Sequence, residues 1–171
     1  MSDIAGFAPV VSGNAKVLIL GSMPSVASLV RQQYYGHPRN AFWPIMGALF
    51  GAVPELCYQQ RKEILMENGV AVWDVLQRCN RLGSSDSNIQ LASIKINDFV
   101  DFFAEYEFIE RVFFNGAMAE KLFKKHVLPT LTQRFAYLDY QRLPSTSPAY
   151  ASLKLEEKIE AWKVIKRHVV K

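Results

Sequence analysis

Cysteine is scarce. The 171-residue chain carries two, Cys57 and Cys79, too few for a disulfide scaffold, a four-cysteine zinc site or a four-cysteine iron–sulfur cluster. Histidine is scarce too: His37, His126 and His168 are too scattered to suggest metal ligation. A reduced, intracellular, cytoplasmic protein with no metal and no cofactor is expected. No apolar run reaches the roughly 18 residues of a membrane span. The opening MSDIAGFAPV lacks the basic segment and apolar stretch of a signal peptide. Repeats, low-complexity tracts and linkers are missing as well, so residues 1–171 read as one domain, expected to be a monomer. What is present is ordinary globular composition, half hydrophobic and 21% charged, with a net charge of +4. That charge permits a polyanionic partner without requiring one.

The order of elements points to an α/β fold. Residues 16–20 (KVLIL) form a short β-branched apolar run ending at Gly21, which predicts a buried strand. A loop rich in Gly, Pro and Tyr fills 21–39. Helices are expected over 40–50, with Phe42, Ile45, Met46 and Leu49 on one face, and over 54–68, closed by Gly69. Residues 70–73 read as a second strand, 78–88 as a polar loop, and Asn97 or Asp98 as the cap of a helix running to Tyr106. A strand over 111–114, a helix over 117–126 and an irregular strand over 135–143 follow. A closing helix over 152–169 carries the stripe Leu155, Ile159, Trp162, Ile165 and Val169. Alternating strands and helices imply layers around a mainly parallel sheet, whose ligands bind outside the carboxyl ends of the strands. The polar, Gly/Pro-rich stretches at 21–25, 73–74, 115–116 and 143–148 all follow strands, so they should meet on one rim.

Each stretch has a bland reading beside a chemical one. Gly21-Ser22-Met23-Pro24-Ser25 offers backbone N–H groups and hydroxyls to an anion or a base edge, or is a plain turn. It has neither P-loop nor dinucleotide-fingerprint spacing. In YYGHPRNAFW, residues 34–43, aromatics can stack on bases, Arg39 can bind phosphate, and Asn40 can orient water or read a base edge. Equally, packed rings could pin the loop while Asn40 caps a helix. Asp74, after Trp73, suits a general base, a hydrogen-bond acceptor or a helix cap. Gly83-Ser84-Ser85-Asp86-Ser87 reads as a solvent-exposed loop. Ser145-Thr146-Ser147-Pro148 suits close approach to a phosphate backbone, or is a Ser/Pro turn.

Taken in order, LILGSMPS (18–25), YYGHPRNAFW (34–43), GVAVWDVL (69–76), GSSDSNI (83–89), FFNGAMA (113–119) and LPSTSPAYA (143–151) resemble the uracil-DNA glycosylase superfamily. The nearest branch is the hypoxanthine (deoxyinosine) DNA glycosylases. The resemblance implies a three-layer α/β/α sandwich with a central four-stranded sheet, and hydrolysis of the N-glycosidic bond of a flipped-out, deaminated base in DNA. It also implies that Met23 stands where many members carry a water-activating Asp or Asn. Asn40 would take over that role, with Asp74 as the second catalytic candidate. Leu143 replaces the His of the second motif. The iron–sulfur branches need more cysteine than this chain has.

On the same basis Phe42 would stack on the base, with Met23, Trp73 and Asn115 around it. Ser22, Ser25 and Ser145 would hold flanking phosphates, His37 and Arg39 would contact DNA, and Thr146, Ser147 and Pro148 would press into the space the base leaves. Three other functions stay open at this level. They are a glycosylase for mismatched uracil or xanthine, a non-catalytic DNA-binding relative, and a glycosidase of free nucleosides.

Overall fold

The structure is a computed structural model and describes residues 3–169. Its centre is a four-stranded, wholly parallel sheet formed by β2 (Val17–Gly21), β3 (Val70–Asp74), β6 (Arg111–Asn115) and β7 (Asp139–Leu143), in the order β3-β2-β6-β7. Every residue of β2 and β3 is buried. That is why these segments read as continuous apolar runs: both faces of such a sheet are covered. Alternation along β6 shows the layers. Phe113 faces His168, in the last helix, with ring centroids 5.8 Å apart. Phe114 faces Phe123, 5.3 Å away on the opposite side.

Helices between and after the strands complete those layers. Between β2 and β3 lie α1 (Val26–Arg31), α2 (Phe42–Phe50) and α3 (Tyr58–Glu67); α4 (Phe99–Glu105) precedes β6, and α5 (Ala117–Leu122) follows it. Asp98 caps α4 by accepting from Asp101 N–H, the second of the two candidates. A π-helical turn, Phe123–Val127, extends α5. The last segment is α6 (Leu155–Trp162) followed by α7 (Val164–Val169).

Several boundaries differ from expectation. Helix α2 begins at Phe42 rather than residue 40, because residues 37–40 turn on the bond from Asn40 N–H to the His37 carbonyl. Helix α3 begins at Tyr58, where Cys57 and Gln60 form a capping box, so Pro54 lies outside it. Strand β7 is shorter than 135–143, since Phe135 is taken up in a 3-10 turn. The closing helix is broken at Lys163. Of its stripe, Trp162 and Ile165 are fully buried, whereas Leu155 is exposed.

One feature lay hidden in the sequence. Leu76–Asn80, designated β4, pairs antiparallel with β1 (Asp3–Ala5) and with β5 (Lys95–Ile96) in a second, small sheet. The expected polar loop 78–88 therefore starts as a strand, tied at its outer edge by the Arg78–Asp3 ion pair at 2.8 Å. This sheet carries residues 81–89 to the mouth of the parallel sheet's C-terminal rim. Among the described residues no helix is long and apolar enough to cross a membrane.

Candidate active site

The strand-end loops do meet. A pocket of about 110 Å³ lies at the carboxyl ends of β2, β3 and β6, lined by residues 21–25, Ser28, Tyr34, Tyr35, Asn40, Asp74, Ser84, Asp86, Asn115 and residues 145–147. Asn40, Asp86, Asn115, Ser145 and Ser147 also line a groove of about 600 Å³ that holds His37, Pro148 and Tyr150, so the pocket opens into the groove. Among the described residues no group of three or more His, Cys, Asp or Glu side chains is placed to hold a metal ion.

The floor is acidic and dry. Asp74, at the end of β3, is 4% exposed, and its Oδ2 finds no hydrogen-bond partner among the described residues. Burial pushes its pKa up to about 7; Asp86 adds to the rise and Arg81 opposes it. A carboxyl in that state is a neutral donor for much of the time at neutral pH. Asp86 is also raised, again chiefly by burial, against the Ser22 hydrogen bond. The β2 strand comes so close to Asp74 that only glycine fits at its end: a Cβ on Gly21 would stand 2.5 Å from Asp74 Oδ1 and 3.0 Å from the Tyr35 oxygen. Gly21→Ala must therefore displace the carboxyl, and should cost about 1–3 kcal/mol in urea unfolding, as overpacking does. A variant of wild-type stability would show that the floor yields.

Asn40 sits on the wall where the loop enters α2. Its Oδ1 accepts from Phe42 N–H at 2.9 Å, so the carboxamide caps the first turn and is held in one orientation while still lining the pocket. Asn40 thus braces the start of α2 from one residue before its N-cap, Ala41, and lines the pocket as well. Opposite it, Asn115 spends its amide on the last loop: Nδ2 donates to Thr146 Oγ1 and Oδ1 accepts from Thr146 N–H, both at 2.9 Å. The Thr146 carbonyl in turn accepts from Ala41 N–H. Gly116, at φ 93°, turns the chain against Ser145, where a Cβ would meet Ser145 at 3.1 Å. This clamp fixes the 143–148 loop beside Asn40.

Other expected residues fall differently. Phe42 is fully buried, locked between Tyr35, Trp43 and Trp162, and does not line the pocket. The helix face that carries Phe42 also carries Ile45 and Met46, and it turns into the core. Trp73 is likewise turned away: its ring packs on Phe99 and Phe102, and Nε1 donates to the Phe7 carbonyl. Met23 does line the pocket. Ser22 donates to Asp86 at 2.7 Å, and Ser25 caps α1, so neither is a free phosphate donor. Thr146 is 1% exposed, too buried to press into DNA. His37 Nδ1 accepts from Arg39 N–H, and exposed Arg39 forms no ion pair among the described residues. Ser145, Ser147 and Pro148 line the groove.

Sequence reasoning missed Tyr35, Ser28, Arg81 and Asp86. Arg81 belongs to the 78–88 stretch read as a polar loop and Asp86 to the 83–87 segment read as solvent-exposed, of which residues 83–85 and 87 are indeed exposed and Asp86 is half-buried. Arg81 is buried, donating to the Pro24 and Gly83 carbonyls, and Ser84, though exposed, accepts from Val26 N–H. That segment thus closes one side of the pocket. The position of Asp86 inside GSSDSNI was the available signal.

The chain matches the profile of the uracil DNA glycosylase superfamily over residues 8–166. It belongs to that superfamily. A curated relative from Methanosarcina acetivorans, named hypoxanthine DNA glycosylase, is 33% identical over 95% of this chain and 98% of its own. One of the same name from Methanosarcina barkeri is 38% identical over 65% of this chain and 70% of its own. A solution NMR structure of a candidate uracil DNA glycosylase from M. acetivorans superposes with a TM-score of 0.79 at 32% identity, covering 98% of each chain. That structure therefore shares the α/β fold described above.

Proposed function

We propose that this protein is a DNA glycosylase that releases hypoxanthine from deoxyinosine by hydrolysing the N-glycosidic bond, leaving an abasic site. The observation that carries this reading is the pocket itself. It is small, opens into a groove, ends in a dry carboxyl and has an oriented carboxamide on its wall. Family membership and the names of two relatives support it.

The target nucleotide must leave the stack, at a cost of a few kcal/mol that is lower for a mispaired base. Pro148 and Ser147, which line the groove, would press into the space the base leaves. Exposed Arg39 and the net positive charge favour the phosphate backbone. Asn40 holds a water against the anomeric carbon. Its Oδ1 is anchored by Phe42 N–H, and a second lone pair on that oxygen accepts from the water. A neutral amide is a poor base, so its contribution is position and electrostatics. That suffices for an oxocarbenium-like transition state, in which the sugar–base bond is largely broken before the water loses its proton. The base leaves with negative charge building on it, and the neutral Asp74 carboxyl stabilises that charge by donating a hydrogen bond.

A duplex oligonucleotide with one deoxyinosine, incubated with the protein and then heated in alkali, should break at that position, with or without EDTA. The same duplex carrying uracil or xanthine ranks the alternatives. Intact deoxyinosine strands after prolonged incubation would leave a DNA-binding protein of this fold.

A further inference from the structure

We propose that Tyr35 is a specificity-determining residue of the pocket: its hydroxyl, beside the Asp74 carboxyl, hydrogen-bonds the 6-oxo edge of the bound purine. The proposal deepens the glycosylase reading and rests on it.

Three observations single out this side chain. First, Tyr35 holds a left-handed backbone, at φ 55°, which bulky residues rarely adopt. Such strain persists only where the surroundings enforce it, and it clusters at functional sites. Second, its ring is fixed. It stacks on Phe42 at 4.0 Å between centroids and 23° between planes, and Phe42 is itself wedged against Trp43 and Trp162. Phe42, expected to touch the base, thus serves as the backing of Tyr35. Third, the Tyr35 oxygen is sealed from solvent and makes no well-formed hydrogen bond among the described residues; the Asn115 amide comes near enough to oppose the rise of its pKa, but its Nδ2 and Oδ1 are both bonded to Thr146. Asp74 Oδ2 is likewise sealed and without a hydrogen bond among the described residues. The two side chains approach the same point, since one Cβ at Gly21 would crowd both. Buried polar groups left unpaired are costly and rare, so two together on the lining of one pocket point to a ligand that pairs them.

A 6-oxopurine suits this pair. Its O6 accepts two hydrogen bonds and its N1–H donates one. The phenol donates to O6. Burial, with Asp74 nearby, raises the phenol well above its usual range, so it keeps its proton at any physiological pH. A neutral Asp74 accepts from N1–H through one oxygen and donates to O6 through the other. Adenine carries an amine in place of O6 and has no N1–H, so the Tyr35 hydroxyl meets a donor instead of an acceptor. The normal base from which hypoxanthine arises is thereby disfavoured.

The test compares single-turnover base release from oligonucleotides carrying either deoxyinosine or the unsubstituted purine deoxynucleoside, which lacks the 6-oxo group. Tyr35→Phe keeps the stacked ring and removes only the oxygen. It should slow release from deoxyinosine roughly 10- to 100-fold, the loss of one buried hydrogen bond. Release of the unsubstituted purine should change little, so the preference collapses. The melting temperature of the free variant should stay close to that of the wild type, because the lost oxygen made no well-formed hydrogen bond there. A parallel fall on both substrates, or an unchanged preference, would overturn the role of Tyr35 alone. A wild type inactive on deoxyinosine would overturn the glycosylase reading and, with it, this edge contact.

Discussion

Asn40→Ala should lower single-turnover release of hypoxanthine by about 10²- to 10⁴-fold, the range for a lost positioning or electrostatic group. The same substitution removes a capping acceptor from the first turn of α2. That loss costs about 0.5–2 kcal/mol of stability, far less than the activation energy equivalent of the rate loss, roughly 3–5 kcal/mol. The protein should therefore stay folded and still bind DNA. Asn40→Ser separates the two roles, since its hydroxyl can replace the capping oxygen but lacks the carboxamide. It should regain thermal stability without regaining the rate. Undiminished release by Asn40→Ala would reduce this residue to a helix cap.

Asp74 should make both stability and rate depend on pH. Its folded pKa is raised to about 7, first by burial and then by Asp86, with Arg81 opposing; the Tyr35 oxygen is its other polar neighbour at Gly21. The unfolded chain gives up this proton near the model-peptide value, so between about pH 4 and 7 the folded state holds more protons. Stability from this group is then complete at low pH and is lost as pH rises through about 7. Asp74→Asn, which cannot ionise, should exceed the wild type in urea unfolding at pH 8 by an amount on the order of 2–4 kcal/mol. The difference should vanish toward pH 4. Asp86, raised in the same direction, remains in both proteins and cancels from the comparison.

Activity carries the complementary sign. With the protonated carboxyl as donor, wild-type release should fall as pH rises past about 7. Asp74→Asn keeps a donor, so it should retain much of the rate and lose that alkaline decline. A rate that instead climbs through pH 7, together with an inactive Asp74→Asn, would make Asp74 the base that activates water.

The two residues named as catalytic from sequence line the pocket together, but the neighbours expected around them were partly exchanged. Phe42 and Trp73 went to the core, while Tyr35, Ser28 and Asp86 came forward. The reason lies in what a linear pattern records. Aromatics in a polar loop signal that rings are needed, yet the choice of which ring faces a cavity depends on helix phase and packing. Phe42 lies one residue inside α2, on the face it shares with Ile45 and Met46; Tyr35 lies before it, in a strained turn.

The sequence by itself determined the layered α/β class, the central strands and the convergence of the strand-end loops. Short, β-branched apolar runs such as VLIL, bounded by turn residues and alternating with helices, suit burial on both faces of a parallel sheet, and the loops that follow parallel strands share one rim. Only the tertiary structure decided how residues 81–89 close the pocket. Strand β4 pairs with β1, more than seventy residues away, and Leu76–Asn80 shows no strong alternation to announce it. Likewise, the raised pKa of Asp74 and the unpaired oxygens of Asp74 and Tyr35 follow from desolvation, which arises when distant segments pack around one point.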